Sequence, residues 1–112
     1  LKFKNMYKKI ILISLLLLFS ANIYSQKSNE AKAEEITSEM ADILDLNDEL
    51  RDRVYKIQLK RFNDVESIRS EYVDDLETRR LELKKIYGKL YGKLKGVLGK
   101  DLMKEWGDYK KS

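Results

Sequence analysis

The sequence predicts an all-α protein: an elongated helical hairpin or cradle of three to four helices behind a secretory leader, assembled as a homodimer. Two observations carry the helices. The stretch Leu46–Leu102 contains no proline, and its first 42 residues contain no glycine. Within it, apolar or long side chains recur in steps of three and four at Leu50, Val54, Ile57, Val65, Ile68, Tyr72, Leu76, Leu83, Ile86, Leu90, Leu94 and Val97, with Arg61 and Arg79 in the two gaps. The mean step is about 3.6 residues, the α-helical period. The third observation is a consequence of the second. An oily face about 13 turns long must be covered, by the chain folding back on itself or by another chain.

The first residues read as a leader rather than as part of the fold. Lys2, Lys4, Lys8 and Lys9 precede the apolar run Ile10–Phe19, and a more polar segment, 20–26, follows. A charged n-region, a short h-region and a small-residue cleavage site at Ser25 define a secretory signal peptide, residues 1–25. The apolar core from Ile10 to Tyr24 falls short of the roughly 20 residues a spanning helix needs. No cysteine stands at the cleavage site, which excludes a lipoprotein anchor. Export implies the periplasm, or release from the cell, for a single domain at 26–112.

Composition narrows the chemistry. The chain has 112 residues and no histidine, cysteine or proline. It therefore lacks the commonest general base and metal ligand near neutral pH, and every thiol nucleophile or thiolate site. Its carboxylates and lysines are not gathered with glycine-rich loops or apolar pockets. No enzyme activity, no cofactor and no tight zinc site are expected. The formal net charge is +4, from 23 basic and 19 acidic residues. Four of those lysines lie in the leader, so the remainder is neutral. That neutrality hides a polarity: 27–50 carries 2 basic and 8 acidic residues, and 51–112 carries 17 and 11. Such ends attract each other or opposite-signed partners. Export removes nucleic acid from the expected partners.

Taken in order, the first helix runs from about Glu30 to Asp45, with Asn29 as N-cap and Glu30 in the first turn. A bend falls near Leu46–Asn47, and Asn47 caps a second helix from Asp48. Glu49/Arg53 and Asp52/Lys56 are i,i+4 pairs on its outer side, worth a few tenths of a kcal/mol each. Two sites can open a further helix with a glutamate three residues on: Asn63-Asp64-Val65-Glu66 and Asp74-Asp75-Leu76-Glu77. The second is preferred, giving helices at 48–71 and 75–98. One long helix zipped to a partner copy is the alternative. The glycines at 88, 92, 96 and 99 fall within about 80° on a helical wheel, opposite the oily stripe. They make either a soft helix or an adaptable surface. From Leu83 to Lys100 there are six lysines and no acid, a basic amphipathic pattern suited to weak contact with a membrane surface or to a solvated face. A short fourth helix spans 100–109, with Trp106 and Tyr109 packing on the hairpin.

Two pentads resemble each other: Leu46-Asn47-Asp48-Glu49-Leu50 and Leu98-Gly99-Lys100-Asp101-Leu102. With a signal peptide ahead of them and Trp106 behind, they resemble the paired LTXXQ motifs of the Spy/CpxP family of periplasmic proteins, over about Ile36 to Trp106. Asn47 and Gly99 replace the motif's threonine, and Leu50 and Leu102 its glutamine. The resemblance implies a thin, curved, dimeric helical cradle that holds unfolded or partly folded proteins without ATP, or that senses envelope stress. Lys56, Lys60, Arg61, Arg69, Arg79 and Arg80 are the basic residues expected to attract such clients. Arg61 and Arg79 are the informative pair, because they interrupt the oily stripe. The alternatives are a non-catalytic coiled-coil scaffold and a membrane-surface binder.

Overall fold

The computed structural model describes residues 27–112, and the leader assigned to 1–25 lies outside them. Four helices follow one another: α1 (Asn29–Leu44), α2 (Asp48–Glu71), α3 (Leu76–Leu98) and α4 (Lys100–Lys111). The all-α expectation holds, and the hairpin reading wins over one continuous helix. The turn forms where acidic caps cluster. The Asp75 side chain accepts from the Thr78 backbone N–H at 3.1 Å and from the Thr78 hydroxyl at 2.7 Å. Asp75 therefore opens α3 with Thr78 three residues on, rather than Asp74 with Glu77.

At the other joints the local chemistry is plain. Asn47 caps α2, accepting from the Leu50 N–H at 2.9 Å. Asp45 ends α1 in the left-handed conformation (φ 53°), and Leu46 N–H returns to the Ala41 carbonyl at 3.0 Å. Ser28 caps α1, accepting from Ala31 N–H at 3.1 Å. The expected cap, Asn29, is the first helical residue, and its amide donates across to Asn63 on α2 at 2.9 Å and to Glu66. Asp52–Lys56 forms at 3.0 Å; Glu49–Arg53 is not among the ion pairs of the described residues.

The backbones neighbour one another in a ring, α1 to α2 to α3 to α4 and back to α1, with α1 opposite α3 and α2 opposite α4. The long members set the frame. At 1.5 Å per residue α2 is about 36 Å long and α4 about 18 Å. So α4 fills the fourth corner only at the base, where α1 joins α2 and α3 joins α4. The core lies there: Met40, Leu44, Val54, Leu94, Leu98 and Met103, with Ile57, Leu90 and Trp106 packed against them. Burying each such side chain stabilises by about 1.5–3 kcal/mol. Trp106 joins this core, but Tyr109 meets α1 rather than the hairpin, donating its hydroxyl to Glu39 at 3.0 Å. Gly88, Gly92 and Gly96 stand exposed, away from the packed stripe, as the wheel requires.

Candidate functional site

Exposure rises along the inward stripes from base to tip. On α3, Leu76, Leu83, Tyr87 and Leu94 fall within about 40° of one another at 100° per residue. Leu94 is 4% exposed under α4, Tyr87 is 46% exposed and Leu76, at the tip, is 64%. On α2 the matching stripe passes from Val54, fully buried, to Val65 and Tyr72. The oily face expected to be covered throughout is therefore covered at the base and, on α2, as far as Val65, while Tyr87 and Leu76 of α3 stay open and Leu76 is not a core residue. The reason is length: α4 ends level with Glu39, and α1 begins level with Asn63 and Glu66.

Above α4 the empty corner is a groove of about 750 Å³ between the start of α1, the upper half of α2 and Tyr87 of α3. Tyr87 also closes a second hollow, about 520 Å³, formed by Leu76, Leu83, Arg79, Arg80 and Lys84 of α3. Together the two hollows are lined by seven cationic side chains and one carboxylate, Glu66. Lys27 is paired with Glu35 at 2.7 Å. Lys32, Arg61, Arg69, Arg79, Arg80 and Lys84 form no ion pair among the described residues.

Arg61 sits at the centre. Its Nε and Nη2 donate to the buried Gln58 Oε1 at 3.3 and 3.1 Å, and its guanidinium stacks 3.8 Å from the centre of the Phe62 ring. Burial lowers its pKa from the ordinary value, and the facing Tyr87 opposes that; an arginine stays charged regardless. Gln58 in turn donates to the Met40 sulfur at 3.5 Å. Arg61 is thus held by the core below and presented to the groove above.

The other expected binding residues divide. Arg69 shares the larger hollow with Arg61, and Arg79 and Arg80 line the smaller. Lys60 stands on the far side of the hairpin, paired with Asp64 at 3.0 Å beside Lys89 and Lys93. Lys56 lines neither hollow and is engaged by Asp52. Lys32, Phe62, Lys84 and Tyr87 join the site without having been singled out for it; the stripe spacing of Tyr87 with Leu76, Leu83 and Leu94 was the available signal. The two motif pentads lie at the base instead. Leu46, Leu98 and Leu102 pack into the common core, Leu50 is half-buried, and Asp48, Glu49, Lys100 and Asp101 face solvent. Asn47 and Gly99 make the two joints.

Among the described residues no three acidic side chains converge closely enough to hold a metal ion, and no helix is long and apolar enough to cross a membrane. Compared with known proteins, the chain matches no family model, no curated protein and no solved structure.

Proposed function

We propose that this chain is an exported, non-catalytic holding protein of the periplasm, which keeps unfolded or partly folded proteins from aggregating without ATP, as its resemblance to the Spy/CpxP family implies. One observation supports the reading above others. Exposed Leu76, Tyr87 and Val73 stand beside Arg69, Arg79 and Arg80, which form no ion pair among the described residues. Unpaired cations draw chains in at long range, and screening by salt weakens that draw. Apolar and aromatic surface then holds them weakly, because each contact buries little area. Nothing in such a surface requires nucleotide hydrolysis.

The test is suppression of aggregation of a chemically unfolded client, without ATP, at about 20 mM and 500 mM salt. Suppression at a few-fold molar excess, weakened by salt, is the expected result. No suppression at any ratio refutes the reading and leaves a scaffold for a specific partner.

A further inference from the structure

The open corner has a shape as well as a composition. Below it, the same corner between α1 and α3 is filled by a helix, α4, whose Met103 and Trp106 enter the core. Above it, over a buried floor at Val65, one wall (Leu83, Tyr87) carries the same kind of apolar stripe, and no helix of the described residues lies across it. From Arg61 to the end of α2 at Glu71 the floor is about 15 Å long, or about three helical turns. The rim is cationic: Lys32 on α1, Arg69 on α2, Arg80 and Lys84 on α3.

We propose that this corner seats one acidic amphipathic helix of a partner protein, in line with α4. The fold already contains an instance of the pairing. α1 carries five acidic residues and one lysine, and it meets a cationic side chain of α2 through Arg51–Glu34 and the hydrogen bond from Arg51 to Ser38 at 2.8 Å. A second copy of this chain is the poorer occupant, since a two-fold contact sets each cationic rim against its twin, and facing like charges are repulsive. An extended segment lacks the width to reach both stripes and the rim together. The inference deepens the binding reading by naming a partner class, and rests on it only for this face being a binding surface.

The probe is an 18-residue peptide with leucine at helical spacing and glutamate on its flanks, titrated into the naturally processed protein. Controls are the same peptide with lysine for glutamate and an acidic version broken by proline. The acidic helix gains helical circular dichroism on binding, and its Kd weakens about tenfold in the Arg69→Glu/Arg80→Glu protein. Both residues are exposed, so that variant keeps its fold, which its own unfolding curve verifies. Equal affinity for the lysine or proline peptides, no binding, or unchanged affinity in the double variant overturns the proposal. A dimer that the peptide dissociates overturns it in favour of a second copy. Aggregation suppression is read in parallel. Suppression without peptide binding removes the helix seat and keeps the holding function. Peptide binding without suppression does the reverse.

Discussion

The same substitution, glycine to alanine, should have opposite signs at neighbouring positions of this chain. Gly88, Gly92 and Gly96 are helical, and a β-carbon added at any of them meets nothing within 4 Å. Alanine there gains helix propensity without a clash, about 0.8–1.0 kcal/mol at each site before fraying near the end of α3 is discounted. Gly99 also has open space, but its backbone lies at φ 88°, ψ 168°. That region is essentially confined to glycine, and a side chain there costs on the order of 1–3 kcal/mol. It is also the hinge on which α3 hands over to α4, its N–H bonded to Lys95 O at 2.8 Å and its carbonyl accepting from Met103 N–H at 3.2 Å. The Gly88→Ala/Gly92→Ala/Gly96→Ala triple should therefore gain about 2 kcal/mol, raising Tm by roughly 10 °C for a domain of this size. Gly99→Ala should lower Tm by at least 4 °C. Thermal and urea unfolding followed at 222 nm reads both. A neutral Gly99→Ala would refute the conformational argument; a destabilised triple would show that the exposed glycine face packs on something.

Other substitutions probe the contrast between base and tip. Met40→Ala, at a fully buried site in the core, should cost about 2–5 kcal/mol, whereas Leu76→Ala, 64% exposed, should stay within about 0.5 kcal/mol; equal losses in urea titrations would contradict the placement of the core. The Thr37 hydroxyl is buried without a hydrogen-bond partner among the described residues, so Thr37→Val should stabilise by about 1 kcal/mol, and a loss of stability would reveal a hidden partner. Acid should lower the stability of the protein in a defined window. Hydrogen bonds from Arg51 and Lys27 hold Glu34 and Glu35 below their ordinary 4.5, and the Thr78 side chain chiefly holds Asp75 below 3.8. Depressed carboxylate values mean stability that is present above those ordinary values and is lost as pH falls through the lower folded ones. Urea midpoints should thus hold level from pH 8 to about 5, with no histidine to titrate, and fall below about 4.5. A fall beginning near pH 6 would disprove the assignment.

Much of the fold was legible in the residues because it is decided locally. A period near 3.6, without proline, makes helices whatever surrounds them. Asn47 and the Asp74–Asp75 pair mark the joints because a short acceptor beside free N–H groups caps a helix in any context. The wheel placed the glycines opposite the packed face for the same reason. What the sequence alone left open were choices between local equals, and they depend on distant atoms. Asn29 is the expected cap of α1, but Asn63 and Glu66 across the helix pair take it away from that role and Ser28 caps instead. Arg61 and Lys60 are both expected to attract clients, Arg61 set apart only by its place in the oily stripe, but Gln58 and Phe62 fix the one while Asp64 occupies the other. Above all, the stripe along Leu94, Tyr87, Leu83 and Leu76 is one continuous pattern in the chain. Only the packed structure divides it into a covered base and an open corner, because burial is settled by where a second helix stops, and α4 stops halfway.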